Sequence, residues 1–197
     1  MKQILFFCFL LLFSINVFSA QYTLDPDHSY AEWSVSHFGF SHNTGKFYMQ
    51  GVFAGDPKYP TRSGVSVVIP ISTLATGITR FDELLLGKNF FDAEHFPTAF
   101  FRSSKIELTG NDTAKIYGTL TIRNTWVPIV LNVKLEKHDK HPYHHKDAYG
   151  FSGTTSFHRS DFGILAYLPG VSDQVDVRFE VEAILVPPAS IATNDHN

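Results

Sequence analysis

The stretch Val175-Asp176-Val177-Arg178-Phe179-Glu180-Val181-Glu182-Ala183-Ile184-Leu185 decides the fold, because it alternates between two faces. Val175, Val177, Phe179, Val181, Ala183 and Leu185 share one face, while Asp176, Arg178, Glu180 and Glu182 share the other. Side chains of a strand point alternately to opposite sides of a sheet, so this is a strand with one buried and one solvated face. The same alternation runs through Ala31–His37, Phe47–Phe53, Val65–Ile71, Ile116–Ile122 and Val127–Leu135. Thr98–Leu108 and Tyr149–Phe157 also read as extended. The total is eight strands, most of them long.

Turn chemistry separates these strands. Thr109-Gly110-Asn111-Asp112 is a strong turn, and Asn124 suits a left-handed turn position. One helix is expected over Ile78–Gly87, with Thr79 as N-cap, Asp82 and Glu83 in the early turns and Gly87 as the stop. An antiparallel sheet of this many strands must hide its edges, and closure into a barrel removes them. The expected fold is therefore all-β, an eight-stranded antiparallel lipocalin-like barrel with a short helix over one side or end. A barrel of about eight strands has an interior that side chains fill or that holds one small ligand. The inward set is rich in aromatics and interrupted by Gly51, Gly118 and Gly153, which fits either outcome.

The whole-chain averages of 197 residues mix two unlike segments. Residues 1–20 carry one charge, Lys2, then an apolar run Ile4–Phe13 and a small-residue exit, the pattern of a secretory signal peptide cleaved near Ser19 or Ala20. The barrel domain is assigned to 21–186 and a flexible tail to 187–197. Without the leader the chain loses its one cysteine, Cys8, which excludes disulfides, zinc thiolates and a thiol nucleophile. It keeps 15 basic residues (16 less Lys2) against 19 acidic ones, a balance that does not suit nucleic acid. A periplasmic location follows as the expectation, and no later stretch is long and apolar enough for a membrane-spanning helix.

Several segments together are similar to the YceI-like family of exported polyisoprenoid-binding proteins. They are His28-Ser29 with Trp33, Val35, His37 and Gly39; Ser72-Thr73-Leu74; Phe90-Phe91-Asp92; Phe96-Pro97-Thr98-Ala99; Gly118-Thr119-Leu120-Thr121-Ile122; Phe151-Ser152-Gly153-Thr154-Thr155; and Arg159-Ser160-Asp161-Phe162-Gly163. The resemblance runs from about Tyr22 to Leu185. It implies a lipocalin-like barrel whose hydrophobic channel takes a polyisoprenoid or another long amphiphile, without catalysis and without a cofactor other than the bound lipid. It also allows a homodimer, for which the strand patterns supply no interface. The chain departs from the family at Leu84, where a His is usual, and at Arg123-Asn124, where His-Gly is usual.

The expected function is binding, storage or transport of a long-chain isoprenoid lipid, either a polyprenyl phosphate or a quinone-type molecule. The expected ligand-binding residues are Trp33, Val35, His37, Phe47, Met49, Phe53, Ile69, Phe90, Phe91, Phe100, Leu120 and Phe162. His37 itself reads first as a hydrogen-bonded core residue. In the motif at 159–163, Ser160 and Asp161 are expected to bond backbone amides and Arg159 to pair with a carboxylate, a structural role. Arg62, Arg80, Lys88, Arg102 and Arg123 are the candidates for an anionic head group. Two other readings stay open. One is a small-molecule-converting or pigment-handling barrel using His37, Arg123 or Arg159. The other is a metal-binding protein using the loop from Lys137 to Asp147, which holds His138, His141, His144 and His145. Three lysines and Pro142 in that loop favour a solvated segment, and no metal ligand is assigned.

Overall fold

The computed structural model describes residues 20–187. The leader assigned to 1–20 and the tail assigned to 187–197 lie outside the described residues, apart from Ala20 and Pro187 at their inner ends. Strand segments are β1 (Ala20–Leu24), β2 (Tyr30–His37), β3 (Ser41–Tyr48), β4 (Gln50–Gly55), β5 (Gly64–Pro70), β6 (Thr98–Leu108), β7 (Thr113–Ile122), β8 (Thr125–Lys140), β9 (Asp147–His158) and β10 (Gln174–Leu185). One helix, α1 (Thr79–Leu86), follows β5.

These segments build eight staves. β1 and β2 lie end to end along β10, with Leu24 opposite Ala183 and Tyr30 opposite Glu180. β3 and β4 likewise lie end to end, β3 on β2 and β4 on β1. β4 continues through β5, β6, β7, β8 and β9 to β10, so the antiparallel ladder closes on itself. The barrel is eight-stranded, as the alternation predicts.

The break in the first stave has a local cause. Pro26 has no N–H for the ladder, and the Asp25 carboxylate accepts the Asp27 N–H at 3.0 Å, which turns the chain. Fully buried Ser29 then anchors it, its hydroxyl exchanging hydrogen bonds with the backbone of Glu182. The sequence reading starts this stave at Ala31 and omits β1.

Three local expectations change. Ile78, not Thr79, is the N-cap of α1; Asp82 reaches back instead, accepting the Thr76 N–H at 2.8 Å and the Thr76 hydroxyl at 2.6 Å. At the β7–β8 turn the left-handed residue is Arg123, with φ 56°, rather than Asn124. β8 runs on past Leu135 to Lys140, across a register shift between Leu135 and Lys137, so the first part of the histidine loop, Lys137–Lys140 with His138, is strand. Only the bend around His141–Lys146 is left to connect β8 to β9.

Phe100 is the misplaced channel residue. Ile106 and Leu108 face inward, and strict alternation counted back from them puts Phe100 inside. A register shift between Ser103 and Lys105 resets the parity. Phe101 therefore points in and is buried, while Phe100 is 45% exposed on the outer face.

Candidate functional site

Inside the barrel is one continuous cavity of about 880 Å³. Eleven of the twelve expected residues line it: Trp33, Val35, His37, Phe47, Met49, Phe53, Ile69, Phe90, Phe91, Leu120 and Phe162. Sequence reasoning missed Phe101, Phe179, Phe151 and Tyr149, which line it too. Phe179 sits in the very stretch that decides the fold, and its inward phase is readable there.

The lumen stays open because several rings lie flat against glycine. The Trp33 indole covers Gly45, the Phe101 ring covers Gly118 and the Phe179 ring covers Gly153, each so closely that a Cβ on the glycine would collide with the ring. Large side chains fold onto the wall at the positions where the facing stave has none. The solid-core alternative required these rings to meet across the axis.

The two ends of the cavity differ. At the end capped by α1, four lining residues are also largely exposed: Phe38 (55%), Ile78 (62%), Leu84 (44%) and Tyr167 (58%). They form an apolar rim. Phe38 rests on Gly170 and donates its N–H to the Gly170 carbonyl at 2.7 Å, and Tyr167 stacks on Phe90 at 6.1 Å. Phe81 of α1 meets the Trp33 ring edge-on at 6.4 Å, and buried Leu85 enters the core. The opposite end, formed by the β4–β5 loop and the β6–β7 turn, exposes Asp56, Ser63, Asn111 and Asp112 to the cavity.

Charge inside is sparse. None of Arg62, Arg80, Lys88, Arg102 or Arg123 lines the cavity. Arg159 does, but its guanidinium is already engaged: Nε donates to Ser172 O (2.9 Å), Nη1 to Ile164 O (2.9 Å) and Ala166 O (2.8 Å), and Nη2 to Val171 O (2.9 Å). It therefore pairs with carbonyls and not with a carboxylate, and burial lowers its affinity for the proton. Asp173, rather than Asp161, caps this loop, accepting the Ser160 N–H at 2.9 Å and hydroxyl at 2.7 Å. Gly163 takes the left-handed conformation, φ 73°, as the motif predicts. The motif serves structure.

His37 lines the cavity with its ring edge-on to Phe38 at 4.7 Å; among the described residues it has no side-chain hydrogen-bond partner, contrary to the expected core role. The indole N–H of Trp33 is the one buried side-chain polar atom without a partner among the described residues. It lies against the wall at Gly45.

A second cluster lies outside the cavity. The bend at His141–Lys146 folds back on the β1–β2 junction: His144 Nε2 is 3.3 Å from Asp25 Oδ2, His28 Nδ1 is 3.1 Å from the same oxygen, and His141 Nε2 is 3.1 Å from Glu182 Oε2. Burial raises the Asp25 carboxyl, yet the Asp27 amide and the His28 and His144 imidazoles hold it below the usual carboxylate range. The hydrogen bond to Asp25 in turn raises His28. The loop is thus not simply solvated.

Comparisons with known proteins agree with this geometry. The YceI-like domain model matches residues 22–183. A UPF0312 protein of Pseudomonas putida is 30% identical over 178 residues, covering 88% of this chain and 91% of its own. A UPF0312 protein of Pseudomonas fluorescens is 31% identical over 177 residues, with coverage of 86% and 89%. Among solved structures, the Campylobacter jejuni YceI protein is similar at TM-score 0.66 and 28% identity, covering 78% of this chain and 90% of its own. Burkholderia cenocepacia BcnA is similar at TM-score 0.72 and 21% identity, covering 81% and 98%, a likeness of fold.

Proposed function

The chain belongs to the YceI-like family, and from that premise we propose that it binds and carries a long-chain isoprenoid lipid with an uncharged head group, such as a quinone or a polyprenyl alcohol, through the periplasm. The observation that carries this reading is the almost wholly apolar lumen, held open by rings laid on glycines. At about 30 Å³ for each carbon-sized group, as for a molecule of water, 880 Å³ takes about thirty of them, a tail of roughly six isoprene units. Each methylene transferred from water contributes about 0.8 kcal/mol, so affinity needs no directional contact.

The uncharged head group follows from the two ends. One rim is apolar and the other carries Asp56 and Asp112, while the buried cation, Arg159, has its donors committed to backbone carbonyls. A phosphate would meet two carboxylates at one end and, among the described residues, an apolar rim with no uncommitted lining cation at the other. The mechanism is sequestration: the barrel shields the tail from water and performs no bond chemistry on it.

The test is native mass spectrometry and lipid extraction of the protein purified from cells that express it with its leader. The expected result is a co-purifying neutral isoprenoid. A ligand-free barrel that also rejects added ubiquinone and polyprenol would overturn the reading, and retention of polyprenyl phosphate in preference to both would overturn the head-group assignment.

A further inference from the structure

We propose that Asp25, His28, His144 and Glu182 form a binding site for a divalent transition-metal ion, with zinc as the reference ion, on the outside of the barrel at the seam where it closes. None of the four lines the lipid cavity. They come from three separate parts of the chain: the β1–β2 junction, the bend after β8, and β10.

The donor atoms are set out for an ion. Asp25 Oδ1 is occupied by the Asp27 N–H, which leaves Oδ2 between His28 Nδ1 at 3.1 Å and His144 Nε2 at 3.3 Å. Asp25, His28 and Glu182 each present a ligand atom, all within 4.8 Å of one another. In a tetrahedral zinc site with bonds of about 2.0–2.1 Å, neighbouring ligand atoms stand about 3.3 Å apart. The two Asp25–imidazole distances already equal that edge, so an ion enters by replacing the protons these pairs share. His144 stands outside that three-residue group, on Asp25 alone, and both its ring (45% exposed) and the Glu182 side chain (39% exposed) close the remaining gaps by rotating.

His141 supplies orientation, not a ligand atom. Its Nδ1 accepts the backbone N–H groups of Tyr143 and His144, each at 3.2 Å, which places the ring proton on Nε2. That N–H then donates to Glu182 Oε2 at 3.1 Å, in the way an outer hydrogen bond steadies a metal-binding carboxylate. The backbone beneath is fixed as well: Asp25 donates its N–H to the Glu182 carbonyl at 2.8 Å, and Ser29 bonds the same residue.

Charge points the same way. Among the described residues no lysine or arginine pairs with Asp25 or Glu182; the partners of both carboxylates are imidazoles. Two carboxylates and two neutral imidazoles balance a dipositive ion, and mixed imidazole and carboxylate donors suit zinc, nickel or copper. The place also has a use for one. β1 and β10 close the barrel over only three residue pairs, Tyr22–Leu185, Thr23–Ile184 and Leu24–Ala183. An ion held by Asp25, His28 and Glu182, and joined by His144 from its place on Asp25 Oδ2, ties the bend after β8 to that short seam.

The experiment is calorimetric titration of the protein, purified without an affinity tag, with zinc chloride, alongside thermal unfolding and cobalt absorbance. The expected result is one saturable zinc per chain, a Tm raised by about 5 °C at a hundredfold excess over Kd, and visible cobalt bands of low coordination number. His28→Gln and His144→Gln, both at exposed rings, should each weaken binding by at least about tenfold while circular dichroism shows an unchanged barrel; His145→Gln should leave it intact. Absence of binding heat and thermal shift would overturn the proposal. So would zinc binding that survives in the His28→Gln/His144→Gln double variant, or that is lost in His145→Gln.

Discussion

Ala31→Phe is the sharpest test of the lumen. Ala31 faces the cavity in mid-barrel, on the rung where it pairs with Phe179 on one side and Phe47 on the other. The added phenyl brings about six carbons into the lumen. At about 30 Å³ each, these occupy about 180 Å³, a fifth of the 880 Å³ available. A bound tail then loses contact for about six methylene equivalents, or about 5 kcal/mol at ~0.8 kcal/mol each, which weakens Kd by at least about a thousandfold. Trp33 reports this directly, since it lines the cavity, and a Trp126→Phe background leaves it as the sole tryptophan. Quenching of its fluorescence by ubiquinone gives Kd, and urea unfolding gives stability. The expected outcome is lost binding with an almost unchanged unfolding midpoint, because an open lumen accepts the ring. A packed interior would instead lose about 1–3 kcal/mol through overpacking. A loss of affinity below tenfold would refute the placement of the tail on this rung, and Phe100→Ala, on the outer face, should change Kd by less than about twofold.

Arg159→Met should be among the most destabilising single changes in the barrel. It strands the carbonyls of Ile164, Ala166, Val171 and Ser172, and at about 1–3 kcal/mol for each unsatisfied group the loss is about 4 kcal/mol or more, read from the urea midpoint. Gly45→Ala, where the nearest atoms an added Cβ meets belong to the Trp33 ring, should swing that indole off the wall and into the lumen, lowering ubiquinone affinity more than Gly150→Ala does. Burial raises the Asp173 carboxyl, but the Ser160 hydroxyl and amide outweigh it and hold the group below the ordinary aspartate range. A depressed carboxyl stabilises the fold above its unfolded pKa of about 3.9 and loses that contribution as pH falls through the folded value. Carboxylate NMR should show Ser160→Ala moving the Asp173 titration upward, and no movement would show that the hydroxyl is not what holds it.

The barrel was legible because alternation is a local property: each stave's buried face is written in residues two apart. What was not legible came from events that interrupt the count. The register shift after Ser103 exchanges the facings of Phe100 and Phe101, and both are phenylalanine, so composition cannot report the exchange. The break at Asp25–Ser29 is turned locally by Pro26 and Asp25, but what anchors it, Ser29 on Glu182, lies more than 150 residues away in the chain. The same distance hides the cluster of His28, His144 and Glu182, although the three histidines of the bend give a compositional hint. Arg159 reads as a residue seeking a carboxylate because its partners are backbone carbonyls, which carry no sequence signature.

A lumen that gains affinity from apolar area alone discriminates poorly between one tail and another, since neighbouring chain lengths differ by a few methylene groups that the tube accepts in turn. Selection therefore falls to the ends, and there the two rims act in opposite ways. Phe38, Ile78, Leu84 and Tyr167 give an emerging tail an apolar path out of the barrel, so this end tolerates length. Asp56 and Asp112 line the other opening, and the proposed preference for an uncharged head group rests on their charge. Leu84 contributes to the first effect by adding exposed apolar surface to that rim. Head-group charge, rather than chain length, should then dominate the ranking of ligands, and replacing Asp56 and Asp112 together by Asn should narrow the gap between a polyprenol and its phosphate by admitting the phosphate, without weakening the alcohol.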